Sequence, residues 1–204
     1  MISKLVCGNP HSIPYGRRKD LCIGRGPSQE NKLHSDHGQE IASDIRRASA
    51  AVMRNWLIKS EPSDYSLAEL QADKVAIWDG VRNYQARNFL REMAVGDRLF
   101  YYHSNTKPPG IVGLAEVVQA DVVDPTQFDP DHKYFDPKAT PEKPRWQTVE
   151  IAYKATFTEM VTLTQLKENF SPDDFAVVRR GNRLSVMPVA DEVAHKLLDM
   201  AVIA

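Results

Sequence analysis

Short apolar runs, separated by turn residues and short amphipathic stretches, constrain the fold of this chain more than any other feature. They begin with Trp-Leu-Ile-Lys at 56–59 and recur, for example, at 98–103 and 111–118. Runs of about four to eight residues rich in β-branched and aromatic side chains are typical of strands. Roughly five to seven strands and four or five short helices are predicted, without the regular alternation that builds a parallel sheet. We therefore predict an α+β fold, a mixed and mainly antiparallel β-barrel flanked by short helices.

Two helices have recognisable starts in the sequence. Ser66 stands three residues before Glu69, a spacing that predicts a capping box at the start of a short helix. A longer helix is predicted over residues 82–93. Its inner side is predicted to comprise Tyr84, Phe89, Leu90 and Met93.

The remaining elements are predicted from shorter signals. Strands are expected at 147–153, at 156–158 and at 183–187, the last closed by Pro188, and helices at 163–169, 173–178 and 189–202. Gly113, inside a predicted strand, indicates a bulge or a close backbone approach. Residues 124–144 contain five prolines and many charged and aromatic residues, and so long an excursion in a compact domain is typically functional.

The first 52 residues differ from the rest of the chain. They lack sustained periodicity, and we predict a disordered N-terminal extension at 1–52 and a folded domain at 53–204, with Met53 as the expected natural start. The alternative is a basic arm that contacts phosphates. The extension has eight basic and five acidic residues, so a total charge of −1 leaves −4 on residues 53–204. A domain with that charge is a poor general binder of phosphates, and any nucleic acid is expected to bind in a local pocket.

Composition excludes several classes of protein. Both cysteines, Cys7 and Cys22, lie in the extension, so the domain is predicted to have no structural zinc, no thiol catalysis and no disulfide framework. No apolar run approaches the length of a membrane span, and the N-terminus does not resemble a secretory signal. We expect a soluble intracellular protein without cofactor or metal. It would be cytoplasmic in a bacterium and nuclear in a eukaryote.

Residues 78–88 carry the most informative chemistry. Within eleven residues they place a Trp, a Tyr, two Arg and two Asn, and they contain neither Cys nor His. Planar rings with fixed donors and acceptors suit a flat heterocycle such as a nucleobase. The alternative is an amphipathic helix with a solvated Arg/Asn face.

Several motifs together resemble the EVE domain, a family of the PUA-like fold group. They cover residues 53 to about 203 in order and at compatible spacing, and include Lys-Ser-Glu-Pro at 59–62, the 78–88 segment, Tyr-His-Ser-Asn at 102–105, Pro-Pro-Gly-Ile at 108–111, 124–129, Asp-Pro-Lys at 136–138, Pro-Arg-Trp at 144–146 and 180–185. The resemblance implies a non-catalytic, PUA-like module that holds one nucleobase, modified as in 5-methylcytosine or a relative, in DNA or RNA. Oligomeric state is left open.

Candidate site residues follow from their chemistry. Trp78 and Trp146 are the expected stacking planes, with Tyr84 and Tyr102 behind them, although core packing is the alternative for each ring. Amides, hydroxyls, one imidazole and one carboxylate are expected to read the base edge: Asn83, Asn88, Ser60, Ser104, His103 and Asp79. Four cations are candidates for the flanking phosphates: Lys59, Arg82, Arg87 and Arg183.

Two other functions are weighed against base binding. A hydrolase triad of His103, Asp79 and Ser60 or Ser104, or a carboxylate dyad among Glu61, Asp79 and Glu116, is conceivable, but no Gly-x-Ser-x-Gly elbow or zinc-deaminase ligand set is present. A protein-interaction module using residues 124–144 is the other alternative. We predict that the protein is not an enzyme.

Overall fold

The computed structural model describes residues 53–201 as a six-stranded sheet with four helices. The strands are β1 (Asn55–Ser60), β2 (Val75–Ile77), β3 (Arg98–His103), β4 (Gly110–Val123), β5 (Gln147–Thr162) and β6 (Val186–Val189). The helices are α1 (Leu67–Asp73), α2 (Tyr84–Glu92), α3 (Leu163–Asn169) and α4 (Asp191–Met200), and short 3₁₀ turns occupy Pro125–Gln127 and Ala176–Val178. The predicted extension at 1–52 lies outside the described residues.

The sheet is mainly antiparallel and open. Its strand order is β2-β5-β4-β3-β1-β6, and within the described chain only β1 and β3 run parallel. The predicted α+β class and mixed, mainly antiparallel pairing are therefore confirmed. The hydrogen-bond ladder does not close into the expected barrel, because β2 and β6 lie at opposite ends of the order and each pairs with one neighbour.

Apolar residues cover both faces of the sheet. Leu99 and Tyr101 of β3 face one cluster, which includes Leu70 of α1 and Leu90 of α2. Their alternate neighbour Phe100 faces a second cluster, which includes residues of α3 and α4. The two-residue period of a strand explains why one apolar run supplies both layers. Helices thus cover the faces, and the ends of the strands are left for loops.

Helix starts follow their caps. Ser66 accepts from the Glu69 backbone N–H, and the Glu69 side chain bonds back to Ser66, so the predicted capping box is confirmed. The second helix begins two residues later than predicted, because Asn83 is its N-cap and leaves Arg82 outside the helix. Tyr84 is therefore not on the inner side as expected but is 50% exposed.

Three strand predictions differ from the structure. The runs at 147–153 and 156–158 belong to one strand, β5, whose register shifts against β4. β6 begins at Val186 rather than Arg183 and contains Pro188, which an edge strand tolerates because one side needs no N–H donor. The predicted helix at 173–178 is reduced to the 3₁₀ turn.

Gly113 shows the predicted irregularity of β4. The register with β5 shifts between Ile111 and Gly113, and a Cβ on Gly113 would overlap the carbonyl oxygen of Ala155. The two backbones therefore approach closely at this point. No helix in the described part of the chain is both long and apolar enough to cross a membrane.

Candidate functional site

A cleft of about 310 Å³ opens where β1 ends and the loops after β2 and before β6 meet. The Lys59 N–H donates to Ser185 O at 2.8 Å, and the Ser104 N–H donates to Ser60 O at 2.8 Å. These bonds join the end of β1 to the residue that follows β3 on one side and to the residue that precedes β6 on the other. The end of β1, an inner strand of the sheet, therefore forms a fixed part of the cleft. We call it the Trp78 cleft, after its most buried aromatic residue.

Eight of the fourteen predicted site residues line this cleft. They are Lys59, Ser60, Trp78, Asp79, Arg82, Asn83, Ser104 and Arg183. The structure does not bring the other six to it: Tyr84, Tyr102, Arg87, Asn88, His103 and Trp146.

Trp78 lines the cleft with a ring that is largely buried. It is 5% exposed, and its ring packs edge-on against Tyr101 with centroids 5.5 Å apart. Its backbone is tied to β5, because its N–H donates to Val149 O at 2.9 Å and its carbonyl accepts from the Thr148 hydroxyl. Among residues 53–201 no acceptor pairs with the indole Nε1–H. The ring is thus rigidly placed, and its polar edge has no partner in the described chain.

Asn83 divides its amide between the fold and the cleft. Its Oδ1 accepts from the backbone N–H groups of Gln85 and Ala86 at 2.9 and 3.0 Å, which caps α2. The Nδ2 donors have no acceptor within the described residues. Asn83 is predicted from the sequence to offer a ligand both a donor and an acceptor. Because its Oδ1 caps the helix, only the Nδ2 donors remain for a ligand.

Arg82 is engaged by the protein itself. Its guanidinium donates to the Asp124 carboxylate at 2.7 Å, to the Thr126 hydroxyl at 2.8 Å and to Tyr134 O at 2.7 Å. Asp124 is 1% exposed and also accepts from the Gly80 N–H at 2.9 Å. Arg82 therefore ties the 124–144 excursion to the turn after β2, and its predicted phosphate role would compete with this buried ion pair.

Trp146 belongs to a separate aromatic and arginine cluster. It stacks on Tyr84 with centroids 5.0 Å apart, and its Nε1–H donates to Asp136 at 2.7 Å. The Arg82 and Arg87 guanidinium groups lie 5.2 and 5.7 Å from its ring centroid. The chain's own side chains therefore occupy its surroundings. Asn88 accepts from Arg87 at 2.9 Å within the same group.

Asp136 holds this cluster together electrostatically. Burial acts to raise its pKa, but hydrogen bonds from the Lys138 N–H, Trp146 and Arg145 outweigh burial and lower it. Arg145 forms an ion pair with Asp136 at 3.0 Å. Asp136 thus holds Arg145 and Trp146, the residues that join the 124–144 excursion to β5.

His103 caps a helix. Its Nε2 accepts from the Leu67 N–H at 3.2 Å, and burial lowers the pKa of its imidazole. An accepting nitrogen must be unprotonated, so the bond and the pKa agree. Neither serine pairs with it: Ser60 Oγ donates to Glu61 O, and Ser104 Oγ donates to Ser60 O. The conceivable Ser–His pair is therefore not assembled.

The charges lining the Trp78 cleft are of both signs. Glu61, Asp64 and Asp79 line it together with Lys59, Arg82 and Arg183. Glu116, the third carboxylate of the conceivable dyad, pairs with Lys154 at 2.9 Å and is not among the lining residues. Within residues 53–201, no set of three or more His, Cys, Asp and Glu side chains is arranged to hold a metal ion.

Tyr134 lines the cleft but is not among the residues predicted from the sequence. It lies on the 124–144 excursion, lines the cleft and is half-buried, which makes it more accessible than Trp78. Its ring lies over Gly80, where any Cβ would overlap it, and Gly80 has a φ of +77°. The length of the 124–144 excursion indicates a functional segment. No pattern within it shows which aromatic residue packs on the turn at Gly80.

Known proteins resemble this chain along the described domain. A family model described as EVE domain matches residues 54–200. Thymocyte nuclear protein 1 of Danio rerio is 38% identical, with 86% of this chain and 95% of the relative covered. The human protein of that name is 36% identical, with 77% and 78% covered.

Solved structures share the fold. A crystal structure of a Pseudomonas syringae protein has a TM-score of 0.69 and 46% identity, covering 72% of this chain and 98% of the other. A crystal structure of human THYN1 in complex with 5-methylcytosine containing DNA has a TM-score of 0.68 and 34% identity, covering 72% and 96%.

Proposed function

Because the chain belongs to the EVE domain family, we propose that it is a non-catalytic nucleic-acid-binding module that holds a single modified base, such as 5-methylcytosine, in the Trp78 cleft. The observation that carries the proposal is the cleft itself, where a rigid indole edge and the Asn83 amide both present donors without acceptors among the described residues. Human THYN1 has been solved with 5-methylcytosine containing DNA. That complex supports the choice of ligand.

The cleft matches one base rather than a duplex. Its volume of about 310 Å³ is at the low end of small-ligand pockets. A base that leaves its stack loses a few kcal/mol of stacking and pairing in a duplex and less in a single strand. Stacking on an aromatic side chain restores about 1–3 kcal/mol. We assign that stacking to Tyr134, whose ring is accessible, and edge recognition to Trp78 and Asn83.

Discrimination of the methyl group is expected to be modest. One buried methyl contributes about 0.8 kcal/mol, which corresponds to roughly a fourfold difference in affinity. Carboxylates in the cleft can accept from the exocyclic amine of cytosine, so Asp79 and Glu61 favour cytosine-type over thymine-type edges. In a eukaryotic cell we expect the chain to work in the nucleus, and in a bacterium in the cytoplasm, where DNA is found in each case.

Binding of short labelled oligonucleotides tests the proposal. Single strands carrying one cytosine, 5-methylcytosine or 5-hydroxymethylcytosine, as DNA and as RNA, are titrated with the full chain by fluorescence anisotropy. We expect tightest binding to 5-methylcytosine and a loss of about tenfold in Trp78→Phe, which keeps an aromatic ring but removes the indole donor. Equal binding to all strands, or turnover of any of them, would contradict the proposal.

Trp56→Phe is the matched control. Trp56 is also buried, at 2% exposed, but its Nε1–H donates to Asp97 at 2.8 Å and it does not line the cleft. Both variants remove an indole from the core. Only Trp78→Phe should weaken oligonucleotide binding, and melting temperatures of both variants report any loss of fold.

A further inference from the structure

A second cleft of about 530 Å³ adjoins the first. It lies between the end of β3, helix α3 and the 177–182 segment, and it shares Lys59 and Ser104 with the Trp78 cleft. We call it the basic cleft. Because Lys59 lines both clefts, a ligand that extends from one cleft into the other passes this residue.

The two clefts differ in charge. The basic cleft is lined by four cations, Lys59, Lys167, Arg179 and Arg180, and by no carboxylate of residues 53–201. The Trp78 cleft is lined by three carboxylates beside its cations. A carboxylate repels a phosphate at close range, whereas a cluster of cations without carboxylates attracts it. The basic cleft is therefore the more favourable of the two for an anion.

The cations of the basic cleft are largely without anionic partners. Lys59 is half-buried, forms no ion pair within residues 53–201, and lies 5.7 Å from the ring centroid of Tyr102. Burial lowers the pKa of its ammonium, with no carboxylate to oppose the effect. Lys167 and Arg180 are exposed and also lack ion pairs among the described residues. The one ion pair of Arg179 within the described part of the chain is with Asp173, whose side chain is 95% exposed.

We propose that the basic cleft binds the backbone phosphates of the strand whose base occupies the Trp78 cleft. This inference rests on the proposed function. The neutral base is held by ring edges and amide donors, and the charged backbone by Lys59, Lys167 and Arg180 on the other side of Ser104. A phosphate beside Lys59 would compensate an ammonium that is desolvated in the free protein.

Salt dependence of oligonucleotide binding tests the assignment. Removal of one phosphate contact on a single strand lowers the slope of log K against log salt by about 0.7. For the Lys167→Gln/Arg180→Gln double variant of the full chain we expect a slope lower by about 1.4 and affinity about tenfold weaker at low salt. The ratio of affinities for 5-methylcytosine and cytosine should stay unchanged, because the Trp78 cleft is intact.

The control removes the same charge elsewhere. Arg91→Gln/Lys143→Gln changes two exposed cations that line neither cleft. A slope and an affinity like those of the wild type are expected for it. Equal effects of the two double variants would overturn the assignment to the basic cleft while leaving base binding established. Loss of the base ratio in Lys167→Gln/Arg180→Gln would also overturn it.

Two further probes identify the source of the phosphate. An oligonucleotide with neutral methylphosphonate links should lose its sensitivity to the double variant but keep its preference for the modified base. Inorganic pyrophosphate should compete with the normal strand only at millimolar concentration. Tight pyrophosphate binding that excludes the strand would overturn the proposal in favour of a free-phosphate site. If the wild type binds no oligonucleotide, both this proposal and the proposed function fail.

Discussion

At the scale of single residues, the site is made by side chains that serve two roles at once. Asn83 caps α2 with its oxygen and presents its nitrogen to the cleft. Lys59 pairs within β1 and also lines both clefts. A substitution at either position should therefore keep the contacts that stabilise the fold and remove only the group that would contact a ligand.

Asn83→Ser separates the two roles of Asn83. Serine is as good an N-cap as asparagine but lacks the amide donors, so stability should change little while oligonucleotide binding weakens several-fold. Asn83→Ala should weaken binding equally and also lower the free energy of unfolding by about 1 kcal/mol. Chemical denaturation and anisotropy measure the two effects. Full binding by Asn83→Ser would remove Asn83 from the site.

His103 predicts a pH dependence of stability. Burial lowers its folded-state pKa below the ordinary value of 6.5, so below pH 6.5 the unfolded chain binds more protons than the folded one. Its stabilising contribution is complete above that pH and is lost as the pH falls. We expect the melting temperature to decrease between pH 7.5 and 5.5 because of this group.

Substitution isolates the effect of His103. In His103→Gln the amide oxygen still accepts from Leu67 N–H but does not titrate in this range, so the decrease should be smaller. His195→Gln, on the exposed side of α4, is the control and should keep the full decrease. The same pH profile in all three proteins would contradict the assignment.

Residue chemistry could be predicted from the sequence better than residue partners. The segment 78–88 was identified from its rings and amides, and Trp78, Asp79, Arg82 and Asn83 do line the cleft. Trp146 is predicted as a stacking plane beside Trp78 but lies in a different cluster, because Asp136 and Tyr84, which position it, are ten and sixty-two residues away in sequence. The ion pair of Arg82 is likewise not apparent from the sequence, because its partner Asp124 lies on a different loop.

At the scale of elements, the site depends on the turn after β2 and the excursion that covers it. Gly80 allows a positive φ in the turn and leaves room for Tyr134. Asp124 accepts from both the Gly80 N–H and Arg82, which fixes the turn and the excursion to one buried carboxylate. Tyr134 is therefore positioned by backbone as well as by side chains.

Gly80→Ala should be more damaging than Gly96→Ala. Both glycines have a positive φ, at +77° and +91°, so alanine adds strain of about 1–2 kcal/mol at each. Only at Gly80 does the new Cβ overlap a ring, and we expect about 1 kcal/mol or more of additional destabilisation together with weaker base binding. In a Tyr134→Ala background the additional part should disappear. Equal destabilisation by both substitutions would contradict the packing of Tyr134 on Gly80.

Elements with local signals could be predicted, and those that depend on distant pairing could not. The capping box at Ser66 and the strand at 98–103 contain their own information. The continuity of β5 depends on β4, which pairs along its length. β6 accommodates Pro188 because no strand of the described chain pairs with its outer side. Closure into a barrel likewise depends on contacts between the end strands, which no local pattern shows.

At the scale of the whole molecule, charge is arranged so that a net negative domain still offers a basic surface. Residues 53–204 carry −4, yet the basic cleft is lined by four cations and no carboxylate. Weak attraction to bulk nucleic acid and a local anion site are compatible in such a protein. Affinity should thus depend on a correctly placed base and strand rather than on total charge.

Deletion of residues 1–52 tests which part of the chain binds. Every strand and helix of the described fold lies within 55–200, so a chain that starts at Met53 should keep its melting temperature within about 2 °C. It should also keep the base preference and the salt slope. A slope lower by about 1 or more would instead assign phosphate contacts to the basic residues of the extension.

The parallel pairing of β1 with β3 has an evolutionary consequence. Because their carboxyl ends coincide, the chain leaves Ser60 and His103 side by side into two unrelated loops. Those loops can be exchanged by mutation without repacking the helices that shield the sheet. Related chains can therefore diversify what they recognise while inheriting an unaltered scaffold, as happens wherever adjacent strands send their connections in different directions.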